Sequence, residues 1–132
     1  MKKKPRILLV DDDIDFVEST KIVLESKPYE VIVAYEGTEG LRKAREQNPD
    51  LILLDIIMPG KDGFTVAEQL KKDPELSGIP IIMLTSFSAK RGETSIPVIR
   101  GYELEAEDYI DKPVTPDELL RRVERYIRRE RS

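Results

Sequence analysis

The stretch from Leu8 to Phe16, LLVDDDIDF, joins an apolar run directly to three consecutive aspartates. Apolar runs without polar alternation are typical of strands that are buried on both faces, as in a parallel sheet. Neighbouring carboxylates repel one another, and each resists ionising unless a cation, a proton or hydrogen-bond donors compensate the charge. The sequence therefore places Asp11, Asp12 and Asp13 at the end of a buried strand, where something must offset their repulsion.

Comparable apolar runs recur along the chain, with helical spacing of apolar residues between them. The runs are ILLV at 7–10, VIVA at 31–34, LILL at 51–54 and IIML at 81–84, followed by the weaker DYI at 108–110. Alternation of strands and helices predicts βαβ units with right-handed crossovers. Because 132 residues suit one domain, we predict a single α/β domain over residues 1–132.

The last predicted helix has the clearest boundary signals. Thr115 is placed to cap its N-terminus, Pro116 suits the first helical position, and Glu118 completes a capping box. An apolar stripe follows and predicts docking on the sheet: Leu119, Leu120, Val123, Tyr126 and Ile127. We interpret the arginines of the opposite face as solvated and paired with nearby acids, rather than as a nucleic-acid site.

Composition narrows the possible chemistry. The chain is 39% hydrophobic and 36% charged, carries a net charge of −4, and contains neither cysteine nor histidine. Disulfides, thiolate catalysis, cysteine zinc sites and histidine acid–base catalysis are therefore excluded, and the negative charge argues against nucleic acid as a direct partner. The N-terminal apolar run is too short for a signal peptide, and no segment could span a bilayer. We predict a cytoplasmic protein without membrane insertion.

Polar residues follow four of the predicted strands at their carboxyl ends. Asp11 and Asp12 follow the first, Asp55 the third, Thr85 and Ser86 the fourth, and Lys112 the fifth. In open parallel sheets this edge forms the ligand crevice. The sequence therefore predicts that carboxylates, a hydroxyl and an ammonium converge there.

This set of groups favours phosphoryl chemistry supported by Mg²⁺. Oxygen ligands without nitrogen or sulfur suit a hard cation, which would offset the repulsion among Asp11, Asp12 and Asp55. Lys112 and Thr85 could hold the remaining phosphoryl oxygens. Aspartate is an established nucleophile in phosphoryl transfer, and Asp55 is the best candidate because it stands alone at its strand end.

Structural interpretations compete with these roles. Asp13 is well placed as the N-cap of the first helix, and Asp15 as an acid in its first turn. Each of Asp55, Thr85 and Lys112, taken alone, would more often be an ordinary loop or strand-end residue. A calcium-binding EF-hand loop starting at Asp11 is excluded, because Phe16 and Ile22 occupy the positions that require glycine and glutamate.

Taken together, the motifs ILLVDDD, LILLDIIMPGKDGF, PIIMLTS and DYIDKP resemble the receiver domain of two-component response regulators. The resemblance implies a five-stranded, doubly wound, flavodoxin-like sheet in the order 2-1-3-4-5, and phosphorylation of Asp55 by a sensor histidine kinase or phosphotransfer protein.

The same resemblance assigns roles to individual residues. It implies Mg²⁺ bound by Asp12, Asp55 and the backbone carbonyl of Ile57, with Asp11 acting through water. It also implies that Thr85, Ser86 and Lys112 contact the phosphoryl group, and that the peptide bond before Pro113 is cis. Tyr109 occupies the switch position that moves with Thr85, although a half-buried strand aromatic is the alternative interpretation. The domain would be a phosphorylation switch for a downstream effector, and not an enzyme beyond its own phosphorylation and dephosphorylation.

Two features depart from the family pattern. Ile57 and Phe87 flank the predicted site and are bulky, which would restrict hydrolytic water. Residues 87–107 contain Gly92, Pro97 and Gly101 and lack the usual pattern of the fourth helix, so we expect that helix to be atypical or displaced.

Two other functions remain as alternatives. An Mg²⁺-dependent phosphatase would need its nucleophile in the first acidic cluster and a cap over the site, for which the chain has little spare length. A pseudo-receiver would bind partners without phosphorylation.

Overall fold

A computed structural model describes the backbone of residues 4–85 and 106–131 and the side chains of residues 4–85 and 106–127. Within these residues strands and helices alternate up to the fourth strand, and the fifth strand is followed by the last helix. The strands are β1 (Arg6–Val10), β2 (Glu30–Ala34), β3 (Leu51–Asp55), β4 (Ile81–Thr85) and β5 (Asp108–Asp111). The helices are α1 (Ile14–Glu25), α2 (Gly37–Gln47), α3 (Gly63–Lys72) and α4 (Pro116–Arg131).

The sheet has the order β2-β1-β3-β4-β5, and all its pairs are parallel. This confirms the predicted flavodoxin-like topology. The expectation of an atypical or displaced helix concerns residues that lie almost wholly outside those described, as do Ser86 and Phe87.

Both faces of the sheet are covered, which explains why its strands are continuously apolar. Alternate residues point to opposite faces of a strand. Ile7 and Leu9 pack with the helices α1 and α4, whereas Leu8 and Val10 pack with α2 and α3. A strand with water on one face would alternate apolar and polar residues instead.

Helix ends follow the predicted capping residues in part. The side chain of Asp13 accepts a hydrogen bond from the Phe16 amide and caps α1. Thr115 accepts one from the Glu118 amide at 3.2 Å and so caps α4. The Glu118 carboxylate, expected to complete a capping box, instead receives hydrogen bonds from Arg121 and Arg122. Neighbouring guanidinium groups are stronger partners for a carboxylate than a neutral backbone amide.

Glycine at position 63 fixes the start of α3 beside the end of β3. Its amide donates to the Ile56 carbonyl at 2.8 Å. A Cβ at this position would fall on the carbonyl oxygen of Asp55 and lie 2.7 Å from the Cα of Ile56. These are backbone atoms, so rotation of a side chain cannot relieve the overlap.

We therefore expect Gly63→Ala to lower the free energy of unfolding by about 3 kcal/mol, as measured by urea denaturation. Gly78→Ala is the matched control, because a Cβ at Gly78 meets nothing within 4 Å; its effect should stay within about 0.5 kcal/mol. Equal effects of the two substitutions would contradict this account.

Candidate phosphoryl-acceptor site

The carboxyl ends of β1, β3, β4 and β5 bring the predicted site residues to one edge of the sheet. Asp55 and Thr85 are the last residues of β3 and β4, while Asp11 and Lys112 directly follow β1 and β5. Asp11, Asp55 and Thr85 are buried, with 0%, 3% and 4% exposure. A cleft opens beside them, lined by Asp11, Asp12, Asp13, Asp55, Ile57, Met58, Pro59 and Lys112.

Three carboxylates form the acidic part of this cleft. Asp11, Asp12 and Asp55 each offer an oxygen, and these atoms lie within 4.8 Å of one another. Asp11 Oδ1 accepts a hydrogen bond from the Asp13 amide at 2.9 Å. Asp11 Oδ2 is buried and accepts no well-aligned hydrogen bond. Three carboxylates this close together, two of them buried, form an all-oxygen cluster that fits a hard divalent cation such as Mg²⁺.

Among the residues that the structure describes, the Lys112 ammonium is the positive charge that pairs with these acids. Its Nζ lies 2.7 Å from Asp11 Oδ2 and 3.7 Å from Asp55 Oδ1. The first contact is an ion pair, although its alignment is poor for a hydrogen bond. Nζ also lies 4.3 Å from the centroid of the Phe16 ring, whose negative face attracts cations. The bond from Lys112 to Pro113 is cis, as predicted.

Burial raises the pKa of Asp55 from its ordinary 3.8 to about 7. The negative charge of Asp11 adds to this rise, whereas the Lys112 ammonium and the Ile57 amide lower the pKa. The Ile57 amide donates to Asp55 Oδ1 over a long 3.4 Å. Without further positive charge, the carboxylate is therefore poorly compensated at neutral pH.

Thr85 adopts a contact that the sequence interpretation missed. Its hydroxyl donates to Asp111 Oδ1 at 2.5 Å. Thr85 and Asp111 are register partners in β4 and β5, because β5 extends one residue beyond the predicted run. Two residues earlier on β5, Tyr109 is 36% exposed, and partial burial raises the pKa of its hydroxyl. The sequence places Thr85 and Asp111 near the ends of two strands, but the register of those strands is needed to predict that the two side chains meet.

The chain matches the family model described as the response regulator receiver domain over residues 7–124. This range contains every residue of the cleft. The chain belongs to the response regulator receiver family. It is 41% identical over 126 residues to the DNA-binding response regulator MtrA of Mycobacterium tuberculosis, covering 96% of this chain and 52% of MtrA.

Solved structures agree with this assignment of the receiver domain. The CheY-like response regulator receiver domain protein from Methanospirillum hungatei superposes with a TM-score of 0.85, at 32% identity and 97% coverage of both chains. The signal receiver domain of a histidine kinase from Syntrophus aciditrophicus gives 0.84, at 33% identity, with 93% of this chain and 89% of that chain covered.

The receiver domain spans about half the length of MtrA. Among the described helices, none is both long and apolar enough to cross a membrane.

Proposed function

We propose that this receiver domain accepts a phosphoryl group on Asp55 from a sensor histidine kinase or phosphotransfer protein, in a reaction that depends on Mg²⁺. The observation that carries the proposal is the placement of Asp55. Its buried carboxylate ends β3 in an open cleft, beside two further acids and within 3.7 Å of the Lys112 ammonium.

In the proposed transfer, an oxygen of the Asp55 carboxylate attacks phosphorus. The new bond joins that oxygen to phosphorus, and the bond from phosphorus to the donor's imidazole nitrogen breaks. The electron pair of the broken bond stays on the nitrogen of the partner. Lys112 attracts the phosphoryl oxygens and so holds the group in line with Asp55. Asp55 attacks as the ionised carboxylate, so the nucleophile has no proton to lose.

The acidic cluster fits the proposed cation. Asp12 and Asp55 would hold Mg²⁺ with the backbone carbonyl of Ile57, and Asp11 would act through water. The bound cation would neutralise charge on the carboxylates and the incoming phosphoryl oxygens. Asp12 is exposed and lines the cleft, which suits direct ligation, whereas Asp11 Oδ2 is paired with Lys112, which suits an indirect contact.

Phosphorylation would act as a switch rather than as a step of turnover. The added phosphoryl group offers new acceptors for Thr85, Ser86 and Lys112, and the half-exposed Tyr109 would report the change to a downstream effector. MtrA is described as a DNA-binding response regulator. For this chain we propose control of an effector protein or domain, without direct contact to nucleic acid by the receiver itself.

The proposal is tested by intact mass after incubation with acetyl phosphate, in Mg²⁺ or in EDTA. We expect one phosphoryl adduct on the native chain in Mg²⁺, almost none in EDTA, and none on Asp55→Asn. Asp117→Asn is the matched control, because Asp117 is exposed on α4 and should leave the adduct unchanged.

Other outcomes identify the competing functions. No adduct on a native chain that binds Mg²⁺ would favour a pseudo-receiver. An adduct that survives in Asp55→Asn would place the nucleophile in the first acidic cluster, as a phosphatase requires.

A further inference from the structure

The hydroxyl of Thr85 is already engaged in this structure. Its single proton is donated to Asp111 Oδ1 at 2.5 Å. The backbone around this contact is also fixed, because Lys112 donates its amide hydrogen to the Thr85 carbonyl at 2.7 Å. A hydroxyl has one proton to donate. Thr85 therefore cannot donate to a phosphoryl oxygen while it donates to Asp111.

The acceptor on Asp111 carries negative charge, as a phosphoryl oxygen does, so the two can compete for the same proton. A carboxylate accepts shorter and stronger hydrogen bonds than a neutral oxygen does. Asp111 is exposed whereas Thr85 is 4% exposed, so the carboxylate keeps its hydration while it holds the buried hydroxyl. Because Asp111 ends β5 as the register partner of Thr85, the two side chains project from the same face of neighbouring strands and meet there.

The same contact links the site to the strand that carries the predicted switch residue Tyr109. Side chains two apart in a strand lie on the same face, so Asp111 and Tyr109 share one face of β5. Ile110, between them, points into the core instead. Release of Thr85 from Asp111 would therefore alter the side-chain contacts on the face of β5 that carries Tyr109.

We propose that Asp111 is a positioning residue that retains the Thr85 hydroxyl in the unphosphorylated state and competes with the phosphoryl group on Asp55 for its proton. This inference rests on the proposed function. The hydrogen bond to Asp111 must break before Thr85 can donate to the phosphoryl group. Asp111 therefore raises the free energy that phosphoryl binding must supply to reach the activated state.

The test uses beryllofluoride, a phosphoryl analogue, titrated into the native chain with Mg²⁺ and followed by the ¹⁹F NMR signal of the bound anion. Asp111→Ala should lower the half-saturating concentration about tenfold, the change expected for loss of one hydrogen bond to a charged acceptor. Asp111→Asn should give a smaller decrease, because its amide oxygen accepts without charge. Asp117→Asn removes the same charge from α4 and should leave the midpoint unchanged.

A double-mutant cycle separates competition for the hydroxyl from a general effect of charge. Thr85→Val keeps the side-chain shape but has no proton to donate. In that background Asp111→Ala should leave the half-saturating concentration unchanged. If Asp111→Ala still lowers the half-saturating concentration tenfold in the Thr85→Val background, the effect comes from charge and the proposal is wrong.

Two results distinguish this inference from the proposed function. If the native chain binds beryllofluoride and Asp111→Ala binds it no more tightly, Asp111 does not compete and this inference alone fails. If the native chain binds none in Mg²⁺, the acceptor site and the competition for Thr85 fail together. Thermal unfolding of each variant without the anion shows whether the fold is retained.

Discussion

Asp55→Asn is expected to be more stable than the native chain at pH 8 without divalent cations, by about 2 to 4 kcal/mol in the free energy of unfolding. The native carboxylate is buried beside Asp11, and its pKa is raised from 3.8 to about 7. Folding at pH 8 must therefore hold an ionised group that prefers to be protonated. The neutral amide avoids this cost while keeping nearly the same shape.

The expected gain depends on pH in a defined direction. In the unfolded chain Asp55 ionises near pH 4, whereas in the folded chain it keeps its proton to about pH 7. Between these values the folded state binds more protons, so native stability falls as pH rises. The stabilising contribution of the proton is complete below about pH 4 and lost above about pH 7. The advantage of Asp55→Asn should be about 2 kcal/mol smaller at pH 5 than at pH 8.

Urea denaturation in EDTA at pH 5 and pH 8 measures this difference. Asp117→Asn, in which an exposed carboxylate is replaced, should change stability by less than about 1 kcal/mol at both values. A gain for Asp55→Asn that is equal at the two pH values would show that the ionised carboxylate is not its source. Saturating Mg²⁺ should stabilise the native chain more than Asp55→Asn, because the variant lacks one anionic ligand.

The apolar runs in the sequence were sufficient to predict the strands of the sheet, because the residues of runs such as ILLV are buried in the folded protein. The run ILLV supplies two residues to each face of the sheet, Ile7 and Leu9 to one and Leu8 and Val10 to the other. Such runs need both faces of the sheet to be covered, as βαβ units provide, and the strand order 2-1-3-4-5 came from the family resemblance. Strand ends then bring Asp11, Asp55 and Lys112 together without any information about their side-chain conformations.

Contacts that depend on side-chain conformation or strand register were not predictable in the same way. Asp111 meets Thr85 only because β5 pairs with β4 in one register, and the connection that sets it is long. The contact of Phe16 with Lys112 depends on how α1 approaches β5. The capping box predicted at Glu118 does not form, because the carboxylate accepts hydrogen bonds from Arg121 and Arg122 instead.

Lys112→Met is expected to lower stability and to impair phosphorylation for two separable reasons. The methionine keeps an apolar stem against Phe16 but removes the ammonium 2.7 Å from Asp11 Oδ2. Asp11 is fully buried, so its charge would be left with the hydrogen bond from the Asp13 amide but without a cationic partner. Breaking a buried ion pair in this way costs about 3 kcal/mol, which urea denaturation in EDTA would detect.

Phosphorylation should fall further than stability alone explains. Without Lys112, no ammonium is placed to attract the phosphoryl oxygens, and we expect a decrease of about 100-fold or more in the rate of adduct formation with acetyl phosphate and Mg²⁺. Lys21→Met, on the exposed face of α1, is the matched control and should leave both quantities near native values.

The double variant Asp11→Asn/Lys112→Met separates the two reasons. Neutralising Asp11 removes the buried charge that the methionine leaves unpaired, so stability should recover to within about 1 kcal/mol of the native chain. The rate of adduct formation should stay low, because the double variant still lacks the ammonium. If the rate recovered together with stability, Lys112 would serve only to compensate Asp11, and its proposed role in holding the phosphoryl group would be wrong.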